Sequence, residues 1–176
     1  MMSIRTLTPL LAITASLITH TAQAETTGTL TFIGQVNAGT CNLAAGDENR
    51  SITLPTIKIS DFDATPSTGA FDFEVSADCE SDIRNVTFLF AGTASAGNAK
   101  LFSNTGTSKG TALQLVHRVS PAFVIPANGT PAQRSRKVAT SSHKAVIPLT
   151  AAYHKTGAAI TQGTLASAVT VSITYN

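Results

Sequence analysis

The sequence predicts an all-β protein, an antiparallel sandwich of short strands. Several runs alternate apolar and polar residues with a period of two, as half-buried strands do. Turn residues separate these runs, and no run of ten or more residues has helical periodicity. Thr, Ser, Ala, Gly and Val dominate the 176 residues and Trp is absent, a composition that favours sheets and turns over a helical bundle.

The composition also limits the class of function. Hydrophobic residues make up 43% and charged residues 12% of the chain, the reverse of the balance found in disordered proteins. Lys and Arg number 12 and Asp and Glu 10, which gives a formal net charge of +2. This small charge gives no reason to expect bulk electrostatic binding to nucleic acid. The length fits a single domain.

Residues 1–24 predict a secretory signal peptide. Arg5 precedes an apolar run from Leu7 to Ile18, and Ala22–Ala24 has the small-x-small pattern of a cleavage site. The run is short for a membrane span. A buried first helix is the alternative, but the pattern favours an exported chain that begins at Glu25.

Seven strands are predicted along the rest of the chain. Each has one apolar face, and Gly-, Pro-, Asn- or Ser-rich turns separate most of them. Pro148 interrupts one run and indicates an edge strand or a bulge there, because proline has no N–H to donate. In chain order the faces are Leu30, Phe32, Gly34 and Val36; Ile52 and Leu54; Phe71, Phe73, Val75 and Ala77; Val86, Phe88 and Phe90; Leu113, Leu115 and Val119, with His117 between them; Ile147, Leu149, Ala151 and Tyr153; and Leu165, Val169, Val171, Ile173 and Tyr175.

Cys41 and Cys79 are the two cysteines of the chain. In an exported protein such a pair predicts one disulfide bond. In the chain-entropy account, a disulfide that closes the loop from Cys41 to Cys79 stabilises the fold by roughly 3–4.5 kcal/mol. A zinc site is not expected, since two distant cysteines lack partners at ligand spacing.

Charge is segregated along the sequence. Nine of the ten acids lie between Asp47 and Asp82, and no acid follows Asp82. Basic residues cluster in the segment Arg134–Lys144. The cluster is either a solvated loop or part of a surface that orients neighbouring subunits, and the sequence leaves both interpretations open.

Motifs for catalysis, metals or cofactors give no support for an enzyme. Gly106–Gly110 matches G-x-S-x-G, but a strand pattern follows it, whereas the hydrolase motif needs a strand-to-helix elbow. His117, His143 and His154 have no metal-binding spacing. We therefore expect no catalytic residue, no cofactor and no metal.

The most distinctive features are the two alternating runs at the ends of the mature chain. The sequence resembles a pilin subunit of chaperone–usher fimbriae, the family that includes type 1 and P pili. The resemblance covers essentially all of residues 25–176. It rests on the G-x-L-x-F-x-G-x-V start that leads to Cys41, the Cys41 and Cys79 pair, Leu54-Pro55, and the Gly163 to Tyr175 ending.

The resemblance implies an immunoglobulin-like antiparallel sandwich that lacks its last strand. Residues 25–38 would be an N-terminal extension and residues 39–176 the pilin domain. A neighbouring subunit would complete the fold by donating its extension, after a periplasmic chaperone and an outer-membrane usher have handled the subunit. The implied donor residues are Leu30, Phe32, Gly34 and Val36, and the implied groove and chaperone-recognition residues are Gly163, Val169, Val171, Ile173, Tyr175 and Asn176.

The implied function is a structural subunit of an adhesive fimbria on the bacterial surface, in the shaft or in an adapter position. The implied route passes through the periplasm, with no membrane span in the mature chain. One alternative stays open, because alternation does not distinguish a strand of the chain itself from one donated to a partner. In that case the first run pairs within its own sheet, and the protein is a self-complete secreted sandwich that binds a carbohydrate or another surface ligand.

Overall fold

The computed structural model describes residues 29–176. The signal peptide predicted over residues 1–24, and residues 25–28 of the predicted extension, lie outside the described part. The chain divides into two compact units, residues 1–36 and 37–176, and each is described by itself.

The described part of the first unit, residues 29–36, has no regular secondary structure. Its apolar side chains are open to solvent: Leu30, Phe32, Ile33 and Val36 are 81–98% exposed. The strand predicted over this run is therefore absent from the single chain. A strand needs a neighbour to satisfy its backbone N–H and C=O groups.

Residues 37–176 form eight strands, one 3₁₀ helix and one helical turn. Five of the strands, β2, β3, β4, β7 and β8, confirm predicted runs; Val119 and Leu165 lie just outside theirs. The elements are β1 (Cys41–Leu43), the 3₁₀ helix (Ile59–Phe62), β2 (Ser67–Cys79), β3 (Asn85–Gly92), β4 (Thr111–His117), β5 (Phe123–Ile125), α1 (Pro131–Arg134), β6 (Ser135–Ala139), β7 (Lys144–Lys155) and β8 (Val169–Tyr175).

The strands form two sheets in the orders β1-β2-β7-β4-β5 and β6-β3-β8. Every ladder is antiparallel, which confirms the predicted class. The core lies between the sheets and takes its buried residues from the inward faces of the long strands. These include Val75 and Ala77 of β2, Phe88 and Phe90 of β3, Leu115 of β4, and Ile147 and Leu149 of β7.

The predicted disulfide is confirmed. Cys41 and Cys79 are paired across β1 and β2 in register and are joined, with their Cα atoms 4.1 Å apart. The bond ties the three-residue strand β1 to the end of the longest strand in the domain. Short edge strands hold few ladder hydrogen bonds, so this link compensates for the small number of pairs.

Two predicted details are wrong. Ile52–Leu54 has no strand assignment, although the burial of its residues alternates, with Ile52 and Leu54 half-buried and their neighbours exposed. Pro148 lies in β7, which is a central strand with neighbours on both sides and no bulge at that point. The Pro148 carbonyl accepts a hydrogen bond from Arg118 N–H at 2.9 Å, just beyond the end of β4. Because the N and the C=O of a residue in an antiparallel strand point to the same side, the N–H that proline lacks would also point past the end of β4. Proline is therefore tolerated there, since no β4 ladder bond is lost.

The chain before β6 forms the helical turn α1, and part of the basic segment Arg134–Lys144 lies in a strand instead of a loop. Thr130 caps α1, since its hydroxyl accepts a hydrogen bond from Gln133 N–H, and Thr130 N–H donates in turn to the Gln133 side-chain oxygen. Pro131 occupies the first turn, where its missing N–H costs nothing. The basic segment Arg134–Lys144 then continues as β6, an edge strand that pairs with β3.

Folding mixes much of the charge that is segregated along the sequence. Arg118 lies 3.5 Å from Asp72, and Lys144 lies 2.8 Å from Asp78, its partner in the β2–β7 register. These pairs place early acids beside late bases on the same sheet. The separation of charge along the sequence is therefore not kept on the five-stranded sheet.

Candidate functional site

The inward face of β8 is only half covered. Val169, Val171 and Ile173 pack against the core but remain half-buried. On the neighbouring strand β3, the inward residues Phe88 and Phe90 are fully buried. β3 is the central strand of this sheet and β8 lies at its edge, so the inward residues of β8 are covered on one side only. Their half-buried side chains leave apolar surface accessible beside the core.

The backbone of β8 is also unpaired on one side. It forms a ladder with β3 from Gly92 to Val86, and in residues 29–176 no strand lies on its other side. An unpaired strand edge presents a row of N–H and C=O groups that can bind another strand. The β8 edge therefore offers main-chain hydrogen bonds and a half-buried apolar row together.

The other sheet has a free edge at the same place. β1 is the terminal strand of the five-stranded sheet, and it approaches β8, yet no ladder joins the two within the described residues. Leu43 of β1 and Leu54, further along the chain, are half-buried against the same core cluster as β8. We call the surface formed by Leu43, Leu54, Val169, Val171 and Ile173 the open edge.

The remaining predicted groove residues lie in different places. Tyr175 is 40% exposed at the end of β8. Asn176 is tied to the start of β3, where its carbonyl accepts hydrogen bonds from Arg84 and Asn85 N–H at 3.1 and 3.2 Å. Gly163 is not on β8 and belongs to a loop that packs on Thr107 and Ser108, where a Cβ would come within 2.4 Å of Ser108 N.

The predicted donor residues Leu30, Phe32, Gly34 and Val36 lie in the exposed, irregular segment 29–36. A Cβ at Gly34 would contact nothing within 4 Å. No local packing therefore demands glycine at this position in the single chain. The physical reason for Gly34 has to be sought in an extended, packed state of the segment.

The chain is fixed tightly just after this segment. Gly39 is buried, and its N–H donates to the Asp82 carboxylate at 2.8 Å. A Cβ at Gly39 would lie 2.7 Å from Glu80 Cβ and 2.1 Å from an Asp82 carboxylate oxygen. Glu80 N–H donates to Thr40 O at 2.9 Å, next to the disulfide. Sequence reasoning missed these contacts of Gly39 with Glu80 and Asp82, because glycine, aspartate and glutamate there resemble ordinary turn residues.

The structure places two residues from the sequence motifs, Ser108 and His117, in different surroundings. Ser108 lies in a turn before β4, with its hydroxyl 2.9 Å from Thr161 O and 3.0 Å from Thr111 Oγ1. His117 is buried, and burial, followed by the positive charge of Arg136, lowers the pKa of its imidazole. Within residues 29–176 no three His, Cys, Asp or Glu side chains are grouped so that they could hold a metal. The described part also contains no helix long and apolar enough to cross a membrane.

Comparison with known proteins gives concordant matches. A family model described as fimbrial protein matches residues 30–176. The fimbrial subunit ElfA of Escherichia coli K12 is 29% identical over 99 residues, 54% of this chain and 55% of that protein, so the chain spans about half the length of this relative. The minor fimbrial subunit HifD of Haemophilus influenzae is 26% identical over 161 residues, 85% of this chain and 74% of HifD. The P pilus rod subunit PapA has a crystal structure with a TM-score of 0.62 and 19% identity, covering 77% of this chain and 99% of that one. At that identity the likeness concerns the fold.

Proposed function

Because the chain belongs to the fimbrial protein family, we propose that it is a structural subunit of a cell-surface fimbria and polymerises with neighbouring subunits by donor-strand exchange. In this assembly mode an extended segment of one subunit adds a strand to the sheet of the next. The observation that carries the proposal is the open edge, where half-buried apolar residues lie beside an unpaired strand.

The acceptor is the open edge, with Val169, Val171 and Ile173 as its central row. A strand placed between β8 and β1 pairs with the free backbone of β8 and covers this row. Since all ladders in the domain are antiparallel, the added strand runs antiparallel to β8. It completes an immunoglobulin-like sandwich that the chain alone leaves one strand short.

The donor is the N-terminal extension, residues 25–38. In an extended strand Leu30, Phe32, Gly34 and Val36 share one face, and the exposure of these apolar side chains leaves them available to a neighbour. Burial of Leu, Phe and Val contributes about 1.5–3 kcal/mol each, or roughly 5–9 kcal/mol before ordering costs. Gly34 then lies where the acceptor has no room for a side chain.

The remaining parts of the proposal follow from family membership. Residues 1–24 direct export and are removed, and residues 39–176 form the pilin domain. A periplasmic chaperone covers the open edge through β8, Tyr175 and Asn176 until an outer-membrane usher exchanges it for the next extension. The loop position of Gly163 supports a role in shaping the loops before β8. The protein acts by assembly and carries out no catalysis.

The proposal is tested by restoring the missing strand as a separate peptide. A variant that lacks residues 25–36 retains the compact unit of residues 37–176. We expect a synthetic peptide of residues 25–38, at a concentration of about 100 times its Kd, to raise the melting temperature of this variant by about 10 °C. A peptide with Gly34→Leu should give no shift, because leucine blocks the acceptor while leaving the length of the peptide unchanged.

The two alternatives predict different outcomes. If the truncated protein is already stable and the peptide changes nothing, the domain is self-complete, and ligand binding becomes the function to test. If both peptides stabilise it equally, the peptide binds elsewhere and residues 30–36 are not the donor.

A further inference from the structure

Basic side chains at one end of the three-stranded sheet lack acidic partners. The ion pairs of the described residues join Arg50 to Asp47, Arg118 to Asp72 and Lys144 to Asp78. Within residues 29–176, the cationic groups of Lys100, Arg134, Arg136 and Lys137 have no carboxylate within 4.0 Å. Their positive charge is therefore not neutralised by the domain itself.

The guanidinium groups in this region are nevertheless held firmly. Arg136 donates to the carbonyl oxygens of Gln133 at 2.9 Å, Ser135 at 2.6 Å and Val124 at 3.3 Å. It also stacks over the Phe123 ring, with 5.4 Å between the guanidinium carbon and the ring centroid. Carbonyl groups orient a cation but do not cancel its charge, so Arg136 is positioned and remains cationic.

Two of these cations, Lys100 and Arg136, line a concavity of about 490 Å³. Its polar lining is Lys100, Asn128, Gln133 and Arg136, and its apolar wall is Val124 and Pro126. The volume lies in the range of small-ligand sites. The Nε atom of Arg136 is buried and has no hydrogen-bond partner in the described chain. This unsatisfied donor lies beneath the surface, so the ligand contacts of Arg136 would come from the exposed part of its guanidinium group.

The lining also restricts the chemistry of a ligand. Two cations and two amides provide several donors and only two side-chain acceptors, which suits an anionic ligand rich in oxygen. The apolar wall can pack against the C–H face of a sugar ring. Nucleic acid fits less well, because no aromatic ring lines the concavity and the net charge of the chain is only +2.

We propose that this concavity binds the carboxylate or sulfate groups of an acidic polysaccharide, with Lys100 and Arg136 as the charged contacts. Each site binds one or two sugar units. The affinity of one site is a property of the domain alone. Retention by a fibre rests on the proposed function, because a polymer repeats the site along its length and thereby gains avidity.

The test compares two lysine substitutions of equal charge. Lys100→Glu places an acid at the rim of the concavity, whereas Lys109→Glu alters an exposed lysine in the turn before β4, which does not line it. Binding of fibres to immobilised heparin and to polygalacturonate, with neutral dextran as a blank, is measured at 0.15 M salt. We expect Lys100→Glu to weaken binding at least tenfold and Lys109→Glu less than twofold.

Three results would overturn the inference: no binding by the unaltered protein, equal losses in both variants, or displacement by DNA as effective as by heparin. Heparin and polygalacturonate distinguish sulfate from carboxylate recognition within the class. Calorimetric titration of the unpolymerised full-length chain and its two variants with the same polysaccharides measures the affinity of a single site. If the protein forms no fibres but the unpolymerised chain still binds the polysaccharide, the result would count against the proposed assembly and not against the binding site.

Discussion

The alternation of the N-terminal segment provides the sharpest test of donor-strand exchange. Phe32 and Ile33 are adjacent, both large and apolar, and 89% and 95% exposed in the single chain. In an extended strand they point to opposite faces. If the segment adds a strand to the open edge, Phe32 enters the core of the neighbour and Ile33 stays outside.

The two positions should therefore respond differently to truncation. Burial of a phenylalanine contributes about 1.5–3 kcal/mol, so Phe32→Ala should weaken binding of the peptide 25–38 about 10- to 150-fold. Ile33→Ala removes a similar apolar surface from the opposite face and should change Kd less than about threefold. Titration of both peptides against the variant lacking residues 25–36, followed by calorimetry, measures the two constants under the same conditions.

The result that would refute this reasoning is equal sensitivity at both positions. It would mean that the segment binds through general hydrophobic contact or as a helix, not as a strand with one buried face. Greater sensitivity at Ile33 would instead shift the register by one residue and reverse every inward side chain.

Three further predictions concern the domain itself. Replacing Cys41 and Cys79 together by serine should lower the free energy of unfolding by about 4 kcal/mol for a sequence separation of 38; chemical denaturation measures it, and a loss below 1 kcal/mol would show that the ladder alone holds β1. Gly39→Ala should destabilise the domain by roughly 1–3 kcal/mol, because its Cβ would overlap the Asp82 carboxylate; an unchanged melting temperature would mean that this carboxylate moves away freely. Since burial lowers the pKa of His117, the unfolded state binds more protons than the folded state just below pH 6.5. Stability should therefore fall as the pH drops from 6.5 through the lowered pKa, and His117→Gln should flatten this slope of melting temperature against pH.

The long strands could be predicted because each carries several apolar residues on one face. β2, β3 and β7 supply the inward rows Val75 and Ala77, Phe88 and Phe90, and Ile147 and Leu149. Because burial of these rows stabilises the fold, the period-two pattern in the sequence predicts which residues face the core. The disulfide could be predicted from the cysteine count and the predicted signal peptide, without geometry.

The short edge strands could not be predicted in this way. β6 contains only two apolar residues, the adjacent Val138 and Ala139, which point to opposite faces, and β1 and β5 have three residues each. Their pairing depends on backbone hydrogen bonds to neighbours far along the chain, which leave no periodic trace. The ion pairs of Arg118 and Lys144 with earlier acids are likewise set by strand order, since sheet topology places them together.

Alternation reports which side chains face an apolar layer, but not whether the backbone has a partner. Residues 51–54 alternate in burial without belonging to a ladder, and residues 30–36 alternate in sequence while remaining exposed. Both segments read as strands, and both lack a strand beside them in the single chain. Donor-strand exchange would account for both observations together. The strand that is missing beside the open edge of one subunit would be supplied by the exposed N-terminal segment of the next subunit.

If the chain assembles by donor-strand exchange, as proposed, the acceptor has to be covered before polymerisation. The open edge and the exposed Leu30, Phe32 and Val36 are mutually adhesive surfaces, and an unpaired edge with an apolar row is a site of aggregation. A chain that displayed both without protection would bind its own copies before export is complete. In the proposed assembly, a chaperone bound at the β8 edge would remove one of the two surfaces, so that only a donor presented at the usher could complete the sheet. The affinity that makes the fibre stable therefore requires that the acceptor be covered until the donor arrives.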